Sequence, residues 1–178
     1  MNDARPLSEM EDEIHARLEA GKHSEAFELL MSHFQNKVFH LAYSMLGNEA
    51  LAEETSQDVF VRIWRALDNY RGQSSLSTWI YAIARHTRVD HYRKARRVED
   101  REQQVDVLPE RPSSPAPESR GPDLEAMLRE LPESQREVIL MLKMAEMSVE
   151  EVARATSSSV GSVKQKAHRA YEKLRGLV

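Results

Sequence analysis

Five prolines, Pro109, Pro112, Pro115, Pro117 and Pro122, fall in one stretch over 98–122, where almost no large apolar residue follows Leu108. Proline fixes φ and removes a backbone donor, and a segment so poor in apolar side chains cannot build a core. The chain therefore divides into an N-terminal module over 9–97 and a C-terminal module over 123–178, joined by a flexible Pro-rich linker over 98–122. Fully extended, that linker spans about 80–90 Å. Two turns of B-DNA measure about 70 Å, so the modules can occupy sites at least that far apart. Each module is small and must use its core efficiently to fold, for which the 40% hydrophobic content suffices.

Apolar residues recur at helical rather than alternating spacing, and glycines number only six, so the fold class is all-α. Helices are predicted over 8–20, 24–46, 49–67 and 75–97 in the first module, with breaks at Gly21, Gly47-Asn48 and Arg71-Gly72. The second module reads as helices over 124–131, 132–143, 148–155 and 160–174. Ser148 and Glu151 have the spacing of a capping box, Val152 and Ala153 face inward, and the small Ala153 lets the next helix cross closely, so the last two helices form a helix-turn-helix.

The formal net charge of -4 opposes nucleic-acid binding until its distribution is considered. Arg85, Arg88, Arg93, Lys94, Arg96 and Arg97 are interrupted only by Asp90, and Lys164, Lys166, Arg169, Lys173 and Arg175 only by Glu172. Two basic segments on an acidic background point to DNA contact at two places and to a protein partner elsewhere. In the last helix, Val160, Val163, Ala167, Ala170, Leu174 and Leu177 form an apolar stripe, which leaves Lys164, Gln165, His168 and Arg169 on another face. Gln pairs bidentately with adenine and Arg or Lys with guanine in the major groove, and the helix start near Ser162 can receive a phosphate.

The 49–67 helix carries an apolar stripe of Leu51, Thr55, Val59, Ile63 and Leu67, flanked by Phe60 and Trp64. Glu54, Gln57, Asp58, Val61 and Arg65 fall together on the opposite face, where Val61 is an apolar residue among polar ones, as in a protein-binding patch. Next comes a polar loop with a glycine hinge, Tyr70-Arg71-Gly72-Gln73-Ser74-Ser75, then a helix that opens on aromatics and becomes basic after Ala84. Small polar groups beside aromatics and cations can hold an unstacked base while arginines grip the adjoining backbone. Trp79, Ile80 and Ile83 are expected in the core.

Cysteine is absent, which excludes disulfides, thiolate metal sites and thiol nucleophiles. The N-terminal residues are acidic and polar, unlike a secretory signal, and no apolar run approaches the length of a membrane span. A cytoplasmic protein without direct membrane insertion is expected.

The run from Ala52 to Arg65, then Tyr70-Arg71-Gly72, Leu76-Ser77-Thr78-Trp79-Ile80-Tyr81-Ala82-Ile83-Ala84-Arg85, and Asp90 with Arg93 and Arg97, resembles the second region of bacterial extracytoplasmic-function (ECF) RNA polymerase sigma factors. Leu131-Pro132, Gln135-Arg136-Glu137-Val138, Glu150-Glu151-Val152-Ala153, Val160-Gly161-Ser162-Val163-Lys164 and His168-Arg169-Ala170 resemble the fourth. The resemblance implies a transcription initiation factor that catalyses no reaction and needs no cofactor or metal. Its partners would be core RNA polymerase, promoter DNA and an anti-sigma factor that holds it inactive. By the same resemblance, Glu54, Gln57, Asp58, Val61 and Arg65 would dock on the polymerase clamp helices. Gln73, Ser74, Ser75 and Ser77 would capture a flipped minus-ten base, with Arg85, Arg88, Arg93, Lys94, Arg96 and Arg97 positioning the strand. Ser162, Lys164, Gln165, His168 and Arg169 would read the minus-thirty-five element, and DNA would open without nucleotide hydrolysis.

The chain departs from the family pattern at Thr156, Ser157 and Ser158, where a leucine, a glycine and an apolar residue are usual, at Ala167, and at Glu146-Met147, where a glycine is typical. A serine in the left-handed region costs about 1–2 kcal/mol, which predicts a looser turn. Two other readings are weaker. A dimeric repressor or activator would need a dimer helix that the sequence lacks. A metal enzyme built on His86, Asp90 and His91 would place a cation among arginines without a third ligand or a nucleophile arranged nearby.

Overall fold

A computed structural model describes residues 6–102 and 124–177, so residues 103–122 of the predicted linker lie outside the described residues. Four helices form the N-terminal half: α1 (Leu7–Glu19), α2 (His23–Leu46), α3 (Glu49–Ala66) and α4 (Leu76–Glu102). A short 3-10 turn, Leu67–Asn69, follows α3. The C-terminal half contains α5 (Leu124–Arg129), α6 (Glu133–Lys143), α7 (Val149–Ala155) and α8 (Val160–Gly176). Among the described residues there is no strand.

Local chemistry sets the boundaries. Gly47 ends α2 in the left-handed conformation at φ 66°, which costs a residue without Cβ nothing. Asn48 then starts α3 by accepting the Leu51 N–H at 2.9 Å. Ser148 and Glu151 form the predicted capping box, with the Glu151 N–H donated to Ser148 Oγ at 3.1 Å and the Ser148 N–H to Glu151 Oε2 at 2.8 Å. Helix α4 runs to Glu102, past the expected end at Arg97, because 98–102 contains no Pro or Gly to stop it.

Ile14, Leu30, Phe34, Val38, Val59, Ile63, Leu76 and Ile80 make the core of the first half, and Leu131, Leu140, Met141, Val152, Val163 and Ala170 that of the second. Each large side chain so buried contributes about 1.5–3 kcal/mol. The halves also pack on one another: α7 lies against α4, and α5 and α6 against α2. Met141 and Glu137 of α6 share one small internal space with Val38, Leu41, Val59, Ala84, Arg85 and Arg88, so the apolar cluster is continuous between the halves.

Two expected core positions lie elsewhere. Trp64 is 45% exposed, because it sits at the edge of the α3 stripe, where its ring meets that of Phe27 in a T-shaped contact. Leu177 lies past the end of α8 and is exposed.

Candidate functional site

On α3, Glu54, Gln57, Val61 and Arg65 are exposed along one face and Asp58 is half-buried. Val61, at 45% exposure, forms a patch with Trp64 and Met31. Beside it an open groove of about 620 Å³ runs between α2 and α3, lined by Phe27, Met31, Phe60, Val61 and Trp64 with Gln57 at its rim. Asp58 faces inward as well as outward: its Oδ2 lies 2.8 Å from Nε2 of the buried His91 on α4. That hydrogen bond, with the charges of His91, Arg62 and Lys94, outweighs burial and holds the Asp58 carboxyl below its usual range. The α3 face is therefore fixed to the basic helix behind it.

The loop before α4 is tightly built. Gly72 turns the chain at φ 68°, and the Tyr70 hydroxyl donates to the Ser74 carbonyl at 2.7 Å. Burial and the nearby Glu11 push the Tyr70 phenol up to about 12, so it remains a donor at neutral pH. Gln73 is exposed, and Ser74 and Ser75 are half-buried. Ser75 Oγ accepts the Thr78 N–H at 3.2 Å as N-cap of α4. Its hydroxyl also lies 2.6 Å from Glu151 Oε1 in the other half.

Seven of the DNA-contact candidates, Ser77 and six cations, lie on α4. Arg93, Lys94, Arg96 and Arg97 are exposed on its second half, with the Arg96 guanidinium 6.0 Å from the centre of the Tyr92 ring. Arg85 and Arg88 are instead engaged by the C-terminal half. Arg85 Nε donates to Glu137 at 2.9 Å, and Arg88 donates to Glu133 at 2.7 Å and to Glu137 at 3.4 Å. Ser77 and Arg88 fall on the inner stripe that also contains Tyr81, Ala84 and His91, spaced by fours and threes. Both are buried, against the expectation that they meet DNA. The Ser77 hydroxyl has no hydrogen-bond partner among the described residues. Ile80 lies in the core, and Trp79 and Ile83 pack against it.

In the helix-turn-helix, Val152 and Ala153 are buried as the spacing predicts. Lys164, Gln165, His168 and Arg169 are exposed on one face of α8, with Ser162 half-buried at its start. Ser157 does take the left-handed conformation, at φ 51°, and so does Glu146, at 52°. The turn is braced rather than loose. Thr156 Oγ1 donates to the Val152 carbonyl at 2.7 Å and lies 2.7 Å from Ser158 Oγ, and the Ser158 N–H reaches the Ala153 carbonyl at 2.9 Å.

His86, Asp90 and His91 are not drawn together, since Asp90 pairs with Arg62 and His91 with Asp58. Among the described residues no three His, Cys, Asp or Glu side chains form a metal-binding group. None of the described helices is long and apolar enough to cross a membrane. Sequence reasoning missed Glu133, Glu137 and Glu11, and the contact of the capping-box residue Glu151 with Ser75; these partners lie between 45 and 76 residues apart in the chain. A carboxylate that will meet a distant arginine has no local signature.

Comparison with known proteins agrees with this arrangement. Residues 30–98 match the Sigma-70 region 2 family and residues 123–174 the Sigma-70, region 4 family. RNA polymerase sigma factor CarQ of Myxococcus xanthus is 30% identical over 158 residues, covering 86% of this chain and 90% of CarQ. ECF RNA polymerase sigma factor EcfG of Rhodopseudomonas palustris is 30% identical over 139 residues, covering 77% and 76%. ECF sigma factor SigE of Mycolicibacterium smegmatis is longer, and the match spans 59% of it. The fold is that of the sigma factor RpoE from Bartonella quintana, solved in complex with the anti-sigma factor NepR, at TM-score 0.70 and 24% identity over 85% of this chain and 95% of that one. With both regions matched in order and relatives at 30% identity covered over most of their length, the chain belongs to the ECF family of RNA polymerase sigma factors.

Proposed function

We propose that this chain binds core RNA polymerase and directs promoter-specific initiation, with residues 9–97 engaging polymerase and the minus-ten element and 123–178 reading the minus-thirty-five element. The protein acts in the cytoplasm, catalyses no reaction, and is held inactive by an anti-sigma factor, as the RpoE–NepR complex suggests by analogy. One observation carries the reading. A single continuous helix, α4, presents a built polar loop at its start and the exposed cations Arg93, Lys94, Arg96 and Arg97 along its second half, as a surface that captures a base and then follows the strand requires.

Polymerase docks on Glu54, Gln57, Asp58, Val61 and Arg65. Gln73 and Ser74 take the flipped base, and Ser162, Lys164, Gln165, His168 and Arg169 lie in the upstream major groove. Strand opening is driven by binding that is stronger to the open form than to the duplex, so no nucleotide need be hydrolysed. In the arrangement described, Ser75, Arg85 and Arg88 are held by Glu151, Glu137 and Glu133. The two halves therefore separate before those three residues reach DNA. Run-off transcription with core polymerase on a library of promoter fragments tests the proposal, and failure to direct initiation from any fragment by demonstrably active core overturns it. Lys164→Ala with Arg169→Ala should spare core binding and reduce upstream DNA contact.

A further inference from the structure

The start of α4 is capped from outside its own segment. The Glu11 carboxylate, on α1, accepts the N–H of Leu76 at 2.9 Å and of Ser77 at 3.4 Å. Ser75 covers Thr78, so the first-turn donors that have no partner within the helix are shared between a local cap and one supplied from 65 residues away. One turn along α1, the His15 ring lies under the hinge: a Cβ at Gly72 would sit 3.1 Å from His15 Cε1. The same ring lies 5.2 Å from that of Tyr70, which in turn lies 4.9 Å from Trp79. Met10 and Ile14, both buried and each next in sequence to one of these two residues, pin α1 to the core. Glu11 and His15 thus form a fixed floor beneath 70–77.

We infer that Glu11 is a positioning residue for base capture: it sets the register in which Gln73 and Ser74 are presented, without touching DNA itself. The inference rests on the reading of this loop as the minus-ten capture loop. Its logic is one of conformational freedom. Gly72 permits many loop paths, and the path is selected by where α4 begins. Without the Glu11 acceptor, two N–H groups of buried residues lose their partner, the first turn frays and the loop samples other paths. The loss corresponds to that of a helix cap, about a 5- to 30-fold weakening of capture. Glutamine keeps an oxygen at the same reach without the charge, whereas alanine keeps neither, so the pair of variants separates acceptor geometry from charge.

The test uses holoenzyme assembled with core polymerase, on single-stranded oligonucleotides of a promoter element selected by run-off transcription. Each position of the element is replaced in turn by an abasic site. Wild-type protein should lose affinity at one position, the captured base. Glu11→Ala should bind the intact strand about 5- to 30-fold more weakly and the abasic strand as tightly as wild type does, and Glu11→Gln should restore intact-strand binding to within about threefold. Equal weakening on both strands, or no rescue by Gln, assigns Glu11 a merely structural role and overturns the inference. If Gln73→Ala weakens intact-strand capture and Glu11→Ala does not, the inference fails while the loop reading stands. If no abasic position matters to the wild type, the loop reading itself fails.

Discussion

Arg85 and Glu137 meet across the boundary between the two halves, the guanidinium Nε donating to the carboxylate at 2.9 Å. Arg88 adds a second contact to the same carboxylate, and both Arg88 and Glu137 expose less than a tenth of their side chains. A carboxylate offers arginine what a phosphate offers, an anion with hydrogen-bonding oxygens. The C-terminal half thereby occupies cations that the family resemblance assigns to DNA. Glu137→Gln leaves two arginines beside a neutral amide, and a charge-assisted hydrogen bond is worth about 1.5–3 kcal/mol. Separation of the halves returns the arginines to water, so the loss is expressed as opening rather than unfolding. The free variant should show a larger radius of gyration in small-angle scattering and a nearly unchanged helix content. An unchanged profile would mean that Met141 and its apolar neighbours hold the halves together without the ion pair.

Glu151 links the same two halves through a different helix. Its Oε2 closes the α7 capping box and its Oε1 faces the Ser75 hydroxyl. Burial pushes the carboxyl up, but hydrogen bonds from Ser75, Ser148 and Thr78 outweigh it, and the group sits below its ordinary 4.5. A carboxylate depressed by folding stabilises above its unfolded value and loses that contribution as pH falls through its folded value. Acidification below about pH 4.5 should therefore loosen α7 and its contact with the loop together. In Glu151→Gln this part of the acid limb should disappear, at a cost near neutrality of about 0.5–2 kcal/mol for the weakened cap. Thermal melting between about pH 3 and 7 checks both, and identical acid limbs in the two proteins would refute the assignment.

The outer face of α3 can be separated from the fold. Val61 is exposed, so Val61→Asp removes little buried area and should change stability by no more than about 0.5 kcal/mol. The same change puts a charge into the apolar centre of the proposed polymerase patch. Core binding, followed by co-elution or fluorescence anisotropy, should fall at least tenfold, or about 1.4 kcal/mol. Full binding would move the polymerase surface elsewhere.

What could be read from the sequence was what local chemistry decides. The capping box at Ser148 and Glu151, the break at Gly47-Asn48 and the exposed face of α8 all follow from side chains within one or two turns of each other. The pairing of Arg85 with Glu137, 52 residues on, and the capping of α4 by Glu11 do not. A basic run looks the same whether it meets phosphate or glutamate, so Arg88 was expected at a DNA surface. Its place on the buried stripe of Ser77, Tyr81, Ala84 and His91 was visible in the spacing, but charge was the stronger cue. Trp64 shows the converse, since hydrophobicity suggested the core and its position at the stripe's edge left it exposed.

The turn between α7 and α8 allows a test of how local strain and recognition are related. Ser157 sits at φ 51° and is exposed, with only its N–H engaged in the turn, on the Arg154 carbonyl. The bracing hydroxyls belong to its neighbours Thr156 and Ser158. A residue with a Cβ pays about 1–2 kcal/mol in this conformation, whereas glycine does not but loses more entropy on folding. The balance favours Ser157→Gly by about 0.5–1 kcal/mol, and urea unfolding should show a higher midpoint at unchanged slope. Upstream DNA affinity should stay the same, because the α7–α8 angle is held by Thr156 and by the packing of α7 against α8, where Val152 and Val163 are both buried. Thr156→Val supplies the contrast: it removes the hydroxyl brace but keeps the shape, and should weaken upstream binding more than it lowers the unfolding midpoint. A destabilised Ser157→Gly would show that the serine is not strained and that the turn differs from the one described.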